Sequence, residues 1–265
     1  LYPIFSSLFY SFTNYNFSST FKWIGLTNYK VLFTRDKMIP LSAYNTLYFA
    51  IFSVPLNMCV GILIAVMMNQ KIRGIRILRT IYYLPNVVSI VAVSMLWYFI
   101  FQSNGVLNML LGAVGIQGPN WLSDPAWAKN ALILMNCWNA GGSMVIYLAG
   151  LQGIPRSYYE AAEVDGAGAL RKFFSITLPL LSPSIFYNLI IGIIGALQTF
   201  STALVMTDGG PVNSTTFYVL TLYRRAFEDM RMGYASAMAW VLMVVTLLLT
   251  LVVFWIGNKK VYYEQ

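Results

Sequence analysis

The sequence predicts an all-α membrane protein that crosses the bilayer several times. Three observations carry that reading. Of 265 positions, 58% are hydrophobic and only 10% charged, against about 25% charged in ordinary soluble domains. The apolar residues gather into segments of about 20 or more, the length a helix needs to cross a bilayer. Five such segments, Ala43–Met68, Thr80–Phe101, Asn130–Ile154, Ser182–Met206 and Gly233–Gly257, contain no Asp, Glu, Lys, Arg or His.

Leu1 to Phe12 reads as the tail of a further span, too short to cross alone. About six spans are therefore expected, the first incomplete, with an N-terminal portion preceding Leu1. Thr13 to Ser42 is a polar, aromatic loop. Ala43–Met68 contains Pro55 and Gly61, which membrane helices tolerate where neighbours satisfy the freed backbone. Asn69 to Arg79 is short and basic, with Lys71, Arg73, Arg76 and Arg79. Thr80–Phe101 carries Pro85, Asn86, Ser89 and Ser94. Gln102 to Lys129 is a loop whose Trp121 and Trp127 suit the membrane interface. Asn130–Ile154 and Ser182–Met206 flank a patterned polar loop, Pro155 to Pro179. Thr207 to Met232 is a loop with an amphipathic stretch, Thr221 to Met230, and Asn258-Lys259-Lys260 closes the last span. No internal repeat or linker divides residues 1–265, so one transmembrane domain is expected.

The composition excludes several functions. There is no histidine, so the commonest general base and metal ligand is missing. Cys59 and Cys137 each fall inside an apolar span, which argues against a disulfide framework or a metal site. No Gly-rich Walker loop is present, so the chain is not expected to hydrolyse ATP. The formal charge of +8 lies in loops flanking apolar spans. Membrane topology and anionic head groups account for it, and nucleic acid is not needed. Charges within spans usually mark ion or proton relays. Their absence, with no inverted repeat, argues against the alternative of an ion-coupled secondary transporter. A membrane-embedded enzyme would need a nucleophile–base pair, a metal set or paired carboxylates, and none is visible.

Pro155 to Pro179 is the one well-built handle for a partner. Ser157 and Glu160 have the spacing of a capping box. Gly166 is a natural helix stop, since glycine adopts positive φ at little cost. A short helix over Ser157–Asp165 is expected, presenting Tyr158, Tyr159, Ala161, Ala162 and Val164. Such a helix suits a groove on another protein, although packing back on its own chain would also fit.

Glu160-Ala161-Ala162, with Gly166 four positions on and then Ile176-Thr177-Leu178-Pro179, resembles the EAA loop of ABC-importer permeases. Thr207-Asp208-Gly209-Gly210-Pro211 and Trp23-Ile24-Gly25-Leu26-Thr27-Asn28-Tyr29 resemble stretches of one permease subunit in maltose-type and glycerol-phosphate-type importers. The resemblance covers nearly the whole chain. It implies the type I permease fold and alternating access in a bacterial or archaeal plasma membrane. It also implies a second homologous permease, two ATPase subunits that bind ATP and Mg, an extracytoplasmic solute-binding protein, and a sugar substrate. Ser157, Tyr159, Glu160, Ala161, Ala162, Asp165 and Gly166 would couple to the ATPase. The chain itself would bind no cofactor or metal. An ABC permease for a non-sugar solute is the nearer alternative.

Orientation is nearly undecided by charge. With the EAA-like loop inside, nine bases lie on the cytoplasmic side and eight outside. The resemblance decides it, because that loop must face a cytoplasmic ATPase.

The spans flanking the loop carry neutral polar groups. Asn136, Asn139 and Ser143 recur at three and four positions and would share a helix face, with Trp138 beside them. Asn188, Gln198, Thr199 and Ser201 lie on the following span. Amides and hydroxyls with an aromatic suit a hydroxyl-rich, uncharged ligand; bonding between helices uses the same residue types. By the resemblance these two helices line the sugar path, with Asn136, Trp138, Asn139, Ser143, Gln198 and Thr199 as its candidates. Gly192, Gly195 and Ala196 stand where other members can carry larger groups. Thr207–Pro211 is expected to be a structural turn at the outer mouth. Tyr223–Asp229 is expected at the outer interface, with contact to a binding protein as the sharper alternative.

Overall fold

The computed structural model describes residues 1–18, 20–70 and 72–257. Lys71 and the Asn258-Lys259-Lys260 close of the last span lie outside the described residues. Within those described there is no strand, only an isolated bridge between Thr13 and Trp23.

The centre is α3, Met38–Met68, which at 1.5 Å per residue reaches about 46 Å. α1, Tyr2–Ser11, and α2, Thr27–Thr34, precede it. After it come α4, Ile75–Tyr83, and α5, Ile90–Ile100. α6, Val106–Ala113, lies in the stretch expected to be loop. α7, Pro125–Trp138, and α8, Gly141–Gly153, lead to α9, Arg156–Val164. α10, Ala169–Leu180, contains a π turn at Phe173–Thr177. α11, Ser182–Leu197, and α12, Ser201–Met206, follow. α13, Tyr218–Tyr223, runs into a second π turn at Arg224–Glu228. α14, Met232–Gly257, is the last. α3 packs against α7, α8, α11 and α13, and α1 packs on α14.

Among the described residues, only α3 and α14 are each long and apolar enough to cross a membrane unbroken. Three bent pairs account for further candidate spans: Ile75–Asn86 with α5 at 96°, α7 with α8 at 45°, and α10, which lies in the stretch expected to be loop, with α11 at 66°. Counting each pair once gives five crossings, with the ten-residue α1 in addition. The breaks have local causes. Pro85 and Pro183 lack the N–H that a continuous helix needs and crowd the carbonyl four residues back. Asn139 and Ala140 separate α7 from α8 just before the Gly141-Gly142 pair. A Cβ at Gly141 would run into the Tyr82 carbonyl, so glycine lets the end of α4 reach this break. The expected continuous span Ser182–Met206 is also interrupted, at Gln198–Phe200.

The ends of α3 define the two ends of the bundle. Ile62, Ala65 and Met68 form a core with Met144, Tyr147, Leu151 and Leu181, against which Tyr159 and Phe173 pack. This is the loop end. At the other end Asn45 donates to the carbonyls of Asn213 and Thr216, 2.9 and 3.1 Å away. The Thr207–Pro211 turn belongs there, held by an ion pair between Asp208 and Arg224 at 2.6 Å.

Candidate substrate cavity and coupling loop

The helix breaks meet at a cavity of about 580 Å³, within the ordinary range of about 300–1,000 Å³ for small-molecule sites. Asn57, Asn86, Asn136, Asn139, Ser143 and Thr199 line it with neutral polar groups, and no charged residue is among its lining. Gly192, Gly195 and Ala196 form part of its wall. Asn136, Asn139 and Ser143 do converge, but not on one helix face. The chain bends by 45° between the first two and the third, so a break brings them together.

That break exposes backbone groups, and two amides answer them. Asn57 Nδ2 donates to the Asn136 carbonyl at 2.8 Å, and Asn57 Oδ1 accepts from Ser143 Oγ at 3.3 Å. Asn86, its amide turned to satisfy both neighbours, donates to the Asn139 carbonyl at 3.2 Å and accepts from Gly142 N at 3.1 Å. These bonds pair backbone groups that the break frees, so the two side chains hold the kink in place. Asn188 is likewise engaged, donating to the Ser184 carbonyl at 2.9 Å. The Asn139 amide forms no hydrogen bond among the described residues, and Asn136 Nδ2 is similarly open to a ligand. Sequence reasoning missed Asn57 and Asn86 as cavity residues. The signal was present, since each is an amide close to a proline in an apolar segment.

Two candidates stand elsewhere. Trp138 is 54% exposed and packs edge-on against Trp97, outside the cavity lining. It ends α7 and points away where the break turns the chain. Gln198 lines a different groove, of about 720 Å³, with Phe200, Ser201 and Thr246. α11 ends at Leu197, so Gln198 and Thr199 part to opposite sides.

The coupling loop shows a correction at its start. Pro155, extended at φ −60° and ψ 136°, precedes the first helical residue, Arg156, and no side chain caps the helix. Ser157 is already inside the first turn, so the Ser157–Glu160 capping box does not form. The end agrees with expectation. Gly166 has φ +74°, its N–H donates to the Glu163 carbonyl at 3.0 Å, and Ala167 N–H donates to the Ala162 carbonyl at 2.8 Å. Those paired bonds are the Schellman closure. Tyr159 hydroxyl meets Thr177 Oγ1 at 3.0 Å, and Glu163 pairs with Lys172 at 2.6 Å. Tyr159 and Ala162 are half-buried against their own chain. Ser157, Tyr158, Glu160, Ala161, Val164 and Asp165 are exposed, Val164 at 89%.

A helical bundle with a polar, uncharged cavity at its helix breaks and a short, largely exposed helix at one end has the form of a membrane permease. The comparisons agree. Residues 57–259 match the model for the binding-protein-dependent transport system inner membrane component, and the chain belongs to that family of ABC-transporter permeases. It is 45% identical to the probable ABC transporter permease protein YesP of Bacillus subtilis, over 99% of this chain and 86% of that protein. It is 35% identical to the lactose transport system permease protein LacF of Rhizobium radiobacter, over 98% and 89%. A chain of the bacterial alginate ABC transporter, solved in complex with its alginate pentasaccharide-bound periplasmic protein, superposes with a TM-score of 0.84 at 28% identity. That match covers 98% of this chain and 88% of that one.

Proposed function

We propose that this permease carries an uncharged sugar or short oligosaccharide through the cavity between α3, α8 and α11. It would do so with a second permease, two ATP-hydrolysing subunits and an extracytoplasmic binding protein. The observation that carries the reading is the cavity's chemistry: convergent amides and hydroxyls without a charge, suited to hydroxyl-rich ligands. The names of sugar permeases among its relatives support it. In this reading α9 faces the cytoplasm and takes the ATPase's movement, while the Asn45–Thr216 end faces outward. Closure of the ATPase dimer on ATP would shift α9 and α10 and open the cavity to the binding protein.

Purification in mild detergent followed by mass spectrometry tests the assembly. A co-purifying ATPase and second permease are expected. Transport driven by an ion gradient with no ATPase present would overturn the reading.

A further inference from the structure

The end of the bundle opposite the coupling loop carries eight of the 17 bases, although lysine and arginine are favoured on the cytoplasmic side of membrane proteins. The structure gathers four of them. Arg35, Lys37, Arg225 and Arg231 surround a depression of about 350 Å³ where α2 turns into α3. Beneath it Asp36 is held by Arg225 Nη2 at 3.0 Å and by the Tyr234 hydroxyl at 3.0 Å. Arg225 Nη1 donates to Asp229 at 2.7 Å. These bonds tie the α2–α3 corner, the π turn and the start of α14 into one unit. Arg225 is thereby neutralised and structural. Arg35, Lys37 and Arg231 are different: all three are exposed and make no ion pair among the described residues. Arg231 is steadied by lying over the Tyr234 ring, 4.7 Å from its centre.

We propose that this depression is the docking point for acidic side chains on one lobe of the extracytoplasmic solute-binding protein. The inference rests on the importer reading and on this end facing outward. A family that depends on a binding protein supplies the occupant, and charge complementarity selects the surface. The ion-paired floor fixes the backbone that carries Arg35 and Lys37 beside Arg231, which gathers three cations that make no ion pair among the described residues at one depression. Such a site acts mainly on the association rate and weakens as salt screens it.

The test uses the complete assembly in lipid nanodiscs, reading ATP hydrolysis against binding-protein concentration at low and high salt. The triple variant Arg35→Glu, Lys37→Glu, Arg231→Glu is expected to raise the half-saturating concentration of binding protein about tenfold and to flatten its salt dependence. Retention of the ATPase subunits on size exclusion checks folding. The milder triple Gln variant is expected to give a rise of about threefold. An unchanged half-saturating concentration would overturn the docking site while leaving the importer reading intact. A shift that occurs only in nanodiscs containing phosphatidylglycerol would assign the depression to anionic lipid instead. Wild-type hydrolysis indifferent to binding protein would overturn both readings.

Discussion

The exposed helix α9 and the cavity are built in opposite ways. α9 is nine consecutive residues, begun by an adjacent proline and ended by an adjacent glycine, with no residue fully buried. The cavity draws on residues from Ser53 to Thr199 and depends on helices that fail to continue. One site is held by short-range backbone bonds. The other exists because Asn57 and Asn86 bind the groups that a break releases. A local site can therefore change its partner surface without disturbing the fold, whereas a cavity residue can serve structure and ligand together.

The sharpest test of that contrast, and the largest expected effect, is Ala161→Trp. Ala161 is exposed and Ala162 half-buried, so the bulk at 161 meets a partner and not this chain. Membrane insertion should be normal and sugar uptake in reconstituted vesicles lost, with ATP hydrolysis no longer responding to sugar and binding protein. Normal coupled uptake would remove the proposed docking face.

Gly166 separates backbone from contact. An added Cβ there meets nothing within 4 Å, so the penalty of substitution comes from φ +74° alone. Gly166→Val should weaken the helix end by about 1–2 kcal/mol and sharply reduce uptake. Gly166→Asn should retain most of it, because asparagine accepts the left-handed region. Equal losses in both would mean that glycine is needed for space in a partner's groove.

Within the cavity, Asn139→Leu should raise the half-saturating sugar concentration for uptake by roughly three- to tenfold, the loss of one net hydrogen bond. Gln198→Leu should leave it unchanged, since that side chain lines another groove. Uptake kinetics of the pair decide whether the cavity or the groove lined by Gln198 holds sugar.

The smallest effect is expected at Ser157→Ala. With no cap formed, thermal stability should change by less than about 0.5 kcal/mol. A loss of about 1 kcal/mol or more would restore the capping box.

The rough placement of the five apolar segments, the lack of charge within them and a short helix ended by Gly166 were legible along the chain. Each depends on residues close in sequence: apolar runs set by bilayer thickness, and a helix stop set by one glycine's backbone freedom. Asn136 and Asn139 were legible as polar groups in an apolar segment, but their meeting with Ser143 was attributed to helical periodicity when a bend brings it about. Proline and glycine indicated that a helix could break, not where or by how much. The 45° bend between α7 and α8 is held by neighbours that reach the released backbone from far away in sequence: Asn57 for Asn136, Asn86 for Asn139. Ser157 shows the same limit on a smaller scale, since a capping pattern one turn long gave way to the proline that precedes it. The sequence alone determined an all-helical membrane bundle and a short helix ended by Gly166 between two apolar segments. Only the tertiary structure decided which polar groups share a cavity, because the backbone groups freed at the α7–α8 break are satisfied across helices and not along them.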